Sequence, residues 1–198
     1  LFASLQANKF LEEKITTSIL AEDEIADAAS PELATIRRQI RAATARARES
    51  LQKIISSPAY AKALQEPIIT TRSERYVVPV KAEHRGEVPG LVHDVSASGA
   101  TLFVEPMASV KANNELRELR AKEKAEIDRI LMELSANCAA HRSEIDTDYV
   151  ILTQLDLIFA KAKLSYQMGG MEPELSTKSM RLVNARHPLL PKETAVPI

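Results

Sequence analysis

Residues 75–106 read RYVVPVKAEHRGEVPGLVHDVSASGATLFVEP, and the fold turns on this stretch. Three of the chain's five glycines, Gly86, Gly90 and Gly99, fall inside it, while Gly169 and Gly170 sit together far downstream. Glycine is the commonest punctuation of helices, so the glycine-free flanks predict two long helical arms around a small β insert. Tyr76-Val77-Val78-Pro79-Val80 reads as a strand, with Pro79 arguing for an edge or a bulge because it has no ladder N–H. Arg85–Gly90 reads as a loop, Leu91–Val95 as a second strand, Ser96–Gly99 as a turn and Thr101–Val104 as a third strand ended by Pro106. Three antiparallel strands in sequential order are too few to stand alone, so the sheet should lean on the ends of the arms.

Upstream, Ser30-Pro31-Glu32 is a helix start: a capping hydroxyl, a proline tolerated at the first position and an acid at the positive end of the dipole. Leu33, Ile36, Ile40, Ala43, Ala47, Leu51 and Ile54 follow at spacings of three and four, the seam of a helix paired with another helix. Pro58 kinks or restarts this helix, and Ala61 and Leu64 resume the apolar face before Pro67. Downstream, nothing breaks the pattern from Pro106 to Gly169, which predicts one helix of about 60 residues, about 90 Å long. Its second half, with Ile145, Tyr149, Leu152, Leu155, Phe159 and Tyr166, is apolar enough for a core. Phe2, Leu5, Phe10, Leu11, Ile15 and Ile19 supply a partner face, and Ala21–Ala29 reads as an acidic connection.

The fold class read from these patterns is mainly α, with a helical core, a long antiparallel two-helix lever and a small three-stranded antiparallel β clamp at its end. The expected divisions are 1–29 with 135–185 (core), 30–69 with 107–134 (lever helices), 70–106 (β tip) and 186–198 (the start of a further domain). A first residue that is not methionine and an apolar Val196-Pro197-Ile198 read as a segment of a longer polypeptide.

In bulk, 198 residues with 27% charged, 4% aromatic and no tryptophan suit an elongated helical protein. A net charge of −1 excludes a uniformly basic nucleic-acid binder, so any phosphate contact must come from a local patch. The lone Cys138 cannot form an internal disulfide, which makes the reducing cytosol the natural compartment. No run approaches the roughly 20 apolar residues of a membrane span. Residues 32–66 carry seven basic and three acidic side chains, and residues 108–134 six of each. The stripe Arg37, Arg41, Arg48 could bind phosphates or pair with Glu118, Glu126 and Glu133 across the lever.

In the β insert, His93, Asp94, Ser96 and Ser98 are the ingredients of a nucleophile relay, but neighbours on a strand point to opposite faces. His84 and His93 are too few for a metal site, so no catalytic, cofactor or metal residue is assigned. Residues 70–107 hold four basic and five acidic side chains. Any contact with phosphates or with a partner there falls to Arg72, Arg75, Lys81, His84 and Arg85, and should be weak and salt-sensitive.

Five segments together resemble the type-two MutS family, bacterial relatives of the mismatch-recognition ATPases. They are DEIADAASPEL (23–33), RYVVPVK (75–81), GLVHDVSASGATLFVEP (90–106), Asn113-Asn114-Glu115-Leu116 and Ala185-Arg186-His187-Pro188-Leu189. The resemblance runs over nearly the whole chain, with Glu24 where the family's acidic turn would have a glycine. It implies a helical core, lever helices and a clamp, followed in the parent by an ATPase domain that uses ATP and Mg. It also implies a homodimeric ATPase that binds branched or structured DNA and restrains homologous recombination, often with an Smr nuclease domain. No GxxxxGK[ST] loop occurs in this chain, so no enzyme activity is assigned to it. Two other readings stand beside the DNA clamp: a protein- or ribosome-recognising arm acting in rescue of collided ribosomes, and a structural dimerisation arm.

Overall fold

Asn8 starts the first helix, α1 (Lys9–Ser18), its side-chain oxygen accepting the Leu11 N–H at 3.0 Å. The structure, a computed structural model, describes residues 1–177, 179–187, 190 and 196. A short antiparallel hairpin of β1 (Ile19–Ala21) and β2 (Glu24–Ile25) follows, opening the stretch expected as an acidic connection. Next come α2 (Pro31–Ile55), β3 (Thr70–Arg72), β4 (Arg75–Lys81), β5 (Gly90–Val95), β6 (Thr101–Pro106), α3 (Met107–Ala140) and α4 (Arg142–Met168). The chain divides into two compact units, Asn8–Ala140 and the combination of Leu1–Ala7 with His141–Ile198.

In the larger unit, α2 begins as its residues dictate. The Ser30 hydroxyl accepts the Leu33 N–H at 2.9 Å and Pro31 takes the first position. The apolar seam of α2 is buried against α3: Leu33 packs with Ile130 and Leu134, and Ala43 and Ala47 pack with Leu116 and Leu119. Rising numbers on one helix meet falling numbers on the other, so the pair is antiparallel. Alanines at the contact let the two backbones approach closely, while Leu33, Leu51 and Leu116, each fully buried, contribute about 1.5–3 kcal/mol apiece.

The helix does not resume after Pro58. Residues 57–64 form successive turns, and Leu64 bridges to Val80. Ala63 and Leu64 are buried all the same, because the turns lay them on Leu51, Val78, Val80, Val88 and Val104 in the core that joins the sheet to the end of α2.

The sheet has four strands, not three, in the order β3-β4-β6-β5. The added strand, β3, pairs with β4 through the two-residue turn Ser73-Glu74, both at positive φ (48° and 63°). Such a turn usually advertises itself by Asn-Gly or Asp-Gly, and Ser-Glu gives no such signal. The order also departs from the expected meander: β6 returns between β4 and β5, leaving β5 on the edge. Pro79 lies opposite Phe103, with its carbonyl turned away from β6 to accept from Gln65 N–H at 2.9 Å. Its missing donor thus falls where β3 has already ended, and no β4–β6 bond is lost. Gly90 is required by close approach, since a Cβ there would lie 2.2 Å from the Glu105 carbonyl oxygen.

The expected 60-residue helix is two helices. The first ends at Ala140, and His141 (φ −104°, ψ 17°) leaves helical geometry before α4 begins at Arg142. No proline or glycine marks the break; Asn137, Cys138, His141 and Ser143 cluster there, all weak helix formers. In the smaller unit, Phe2 meets Phe159 edge to face at 6.2 Å, and Gln6 N–H donates to Asp148 at 3.0 Å. Gly169 ends α4 in the left-handed region. Of the apolar residues expected to fill a core, Leu155 is buried, while Ile145, Tyr149, Leu152, Phe159 and Tyr166 are exposed. Apolar positions run around the whole helix, and the short segment 1–7 can cover only part of it. The domain start expected at 186–198 and the run Val196-Pro197-Ile198 fall mostly outside the described residues. No described helix is long and apolar enough to cross a membrane.

Candidate nucleic-acid interface

Each of the five cations expected to meet a partner is engaged within the protein. Arg75, at the start of β4, reaches Glu105 on β6 with N–O distances of 2.8 and 3.1 Å and Asn114 on α3 at 2.8 Å. Arg72 pairs with Asp94 at 3.1 Å and lies 4.0 Å from the Phe103 ring centroid. Lys81 donates to the Lys62 carbonyl at 3.1 Å. His84 contacts Glu87 at 2.8 Å. Arg85 donates to the carbonyls of Val88 at 3.1 Å and Gly90 at 2.6 Å, closing the 82–89 loop on itself.

What the structure does bring together is a buried polar knot around Glu105, whose side chain is fully enclosed. Besides Arg75, its carboxylate accepts from Asn113 Nδ2 at 2.8 Å and contacts His93 Nε2 at 2.5 Å. Asn113 also clasps the Tyr76 backbone, its Oδ1 accepting from N–H at 3.1 Å and its Nδ2 donating to C=O at 3.0 Å. A buried carboxylate needs this many donors to offset its desolvation. The knot fastens β4, β5 and β6 to α3. His93 reaches it because β5 bulges between Val92 and Asp94, which turns the extra residue toward Glu105.

His93 and Asp94 are therefore spoken for by Glu105 and Arg72, and Ser96 and Ser98 contact each other in the turn at 3.3 Å. Among the described residues no three His, Cys, Asp or Glu side chains are placed to hold a metal ion.

Along the helix pair the arginine stripe does not meet the glutamates expected. Arg37 binds Glu123 and Asp27, both at 2.7 Å, and the Ile25 carbonyl at 2.6 Å; Arg41 reaches Asp27 at 3.4 Å; Arg48 stacks over the Tyr76 ring at 5.5 Å. The Arg37 hydrogen bond holds the Asp27 carboxyl below its usual range. At the start of α2, Glu126 accepts from the capping Ser30 hydroxyl at 2.6 Å and from Arg129 at 2.7 and 2.8 Å. Arg129 first and Ser30 second lower its pKa to about 2.

Sequence reasoning missed Glu105, Asn113 and Glu126 as organising residues. For Glu105, a lone acid inside an otherwise apolar strand was the available signal.

No protein-family model matches the chain. It is 53% identical over 195 residues to endonuclease MutS2 of Alkaliphilus oremlandii, 52% over 199 to that of Acetivibrio thermocellus and 56% over 189 to that of Pelotomaculum thermopropionicum. These matches cover 98%, 100% and 95% of this chain. The chain spans about a quarter of the length of these relatives (25%, 25% and 24%). About half identity over nearly the whole chain leads to one conclusion: this chain belongs to the MutS2 family.

Proposed function

We propose that the helix pair and its sheet are the lever and clamp of a MutS2 protein, gripping branched or structured DNA through its sugar–phosphate backbone and carrying ATP-driven movement to the clamp. The observation that carries this reading is the buried Arg75–Glu105–Asn113 knot. It makes the sheet part of the α3 end of the lever, so displacement at one end of the helix pair reaches the other without loss in a hinge. In this proposal the lever is drawn from residues 30–69 and 107–134, the clamp from 70–106 and the supporting core from 1–29 and 135–185. The ATPase, with its ATP and Mg, and any nuclease belong to parts of the parent outside this chain. The parent works as a cytoplasmic homodimer that restrains recombination.

A second reading has its own observation. The basic residues of the clamp are internally paired, while Leu91, Val92 and Val95 on edge strand β5 are 49%, 42% and 49% exposed. An apolar edge of this kind suits a protein or ribosomal surface better than a phosphate backbone.

Fluorescence anisotropy of this chain with duplex, single-stranded and four-way-junction DNA at low and physiological salt separates the two. The DNA reading expects binding whose log affinity falls linearly with log salt. Absence of binding at low salt together with cosedimentation with ribosomes supports the second.

A further inference from the structure

We infer that the phosphate-contacting surface lies on one face of the helix pair rather than on the sheet, and consists of Arg48 on α2 with Arg117, Arg120 and Lys124 on α3. This inference rests on the DNA reading above and locates its contacts.

The face is defined by the start of β4. Arg48 covers the Tyr76 ring, and Arg120 donates to the Glu74 carbonyl at 3.0 Å, so both guanidinium groups reach the same three-residue stretch from different helices. Arg117, Arg120 and Lys124 follow at i, i+3 and i+7 and so share one side of α3. The other side of the pair is marked by the Arg46–Glu115 bridge at 2.7 Å. There Glu115 and Glu118 lie among Arg46, Lys111 and Lys122, and Lys53, seven residues after Arg46 on the same side of α2, pairs with Glu49 at 2.9 Å.

On the Arg48 side the balance differs. Arg117 and Lys124 are exposed and have no hydrogen-bond or ion-pair partner among the described residues. Arg48 is exposed, stacked on a ring and without a carboxylate partner among the described residues, and Arg120 spends one donor on a carbonyl and none on a carboxylate. Of the acids on this side, Glu123 and Asp27 are taken by Arg37, with Arg41 sharing Asp27. Glu74 at the hairpin turn and Asp128 at the far end remain. Stacked, planar guanidinium groups with free forks are well suited to phosphate oxygens. Seven residues of helix between Arg117 and Lys124 rise about 10 Å, the axial rise of about three phosphates on one strand. Of the five sheet cations, Arg72, Arg75 and His84 are spent on carboxylates and Arg85 on two carbonyls, while Lys81, like Arg120, gives one donor to a carbonyl but stands apart from any second available cation.

The test uses the whole chain with fluorescein-labelled duplex and four-way-junction DNA across a salt series. One variant carries Arg48→Gln, Arg117→Gln, Arg120→Gln and Lys124→Gln; a matched control carries Arg46→Gln, Lys53→Gln, Lys111→Gln and Lys122→Gln. Wild-type thermal midpoints and far-UV spectra in both variants exclude unfolding as the cause. The expected result is at least a tenfold loss of affinity at low salt in the first variant, its log–log salt slope shallower by about 0.9 for each contact removed, with the control near wild type. Equal weakening of both variants, or an unaffected first variant against a wild type that binds, overturns this inference and leaves the DNA reading standing. A wild-type chain that does not bind DNA at low salt overturns both.

Discussion

Replacing Glu105 by alanine removes the acceptor at the centre of the knot that joins sheet to helix. Arg75, only 15% exposed in its side chain, loses both carboxylate contacts and keeps Asn114. Asn113 keeps its clasp on Tyr76 but loses one acceptor, and His93 loses the one it has among the described residues. Removing one partner of a buried ion pair costs about 3–5 kcal/mol, because the surviving charge is left desolvated. Glu105→Gln retains an acceptor for Arg75 but turns an amide toward His93 or Asn113, at a cost of about 1–3 kcal/mol. Urea unfolding followed by circular dichroism measures both. Arg75→Ala combined with Glu105→Ala should cost clearly less than the sum of the single changes, since the second removal relieves the orphan left by the first. A Glu105→Ala loss below about 1 kcal/mol, or strict additivity in the double variant, would refute the claim that this network fastens the sheet.

Two further outcomes follow from the packing. The Glu126 carboxyl is lowered from 4.5 to about 2 by Arg129 and Ser30, so its stabilisation is complete above about pH 4.5 and is lost as the pH falls toward 2; thermal melts over this range should show a steeper acid decline in wild type than in Glu126→Gln. Gly90→Ala places a methyl group 2.2 Å from the Glu105 carbonyl oxygen, so it should lower stability by at least about 2 kcal/mol in the same urea assay, whereas Gly86→Ala, with no atom within 4 Å of the added carbon, should change little.

Much of the architecture was legible because it rests on local chemistry. Ser30-Pro31-Glu32 specifies its helix start through groups that act within one turn, and the Leu33-to-Leu51 seam specifies a helical partner by period alone. What stayed hidden depends on residues distant in sequence or on turns without a compositional mark. Ser73-Glu74 makes a positive-φ hairpin without glycine or asparagine, so β3 went unseen. Strand order is set by which valines fill the core with Leu51 and Leu64, and no loop length encodes that. His141 breaks a helix without being a breaker. The candidate cations show the same divide most clearly: charge can be read from the chain, but Arg75 lies 30 residues from the carboxylate that occupies it. Arg48 and Arg120 share a face only because α2 and α3 pack antiparallel.

A sheet fastened by the Glu105 network should move with the helix pair as one body. This is tested most directly by the distance distribution between spin labels at Ala45→Cys on α2 and Ser98→Cys in the β5–β6 turn, with Cys138→Ser, measured by double electron–electron resonance with and without four-way-junction DNA. A single narrow distribution that keeps its width in both states is the expected result. A broad or two-peaked distribution in the free chain would show a clamp hinged on its lever and contradict it.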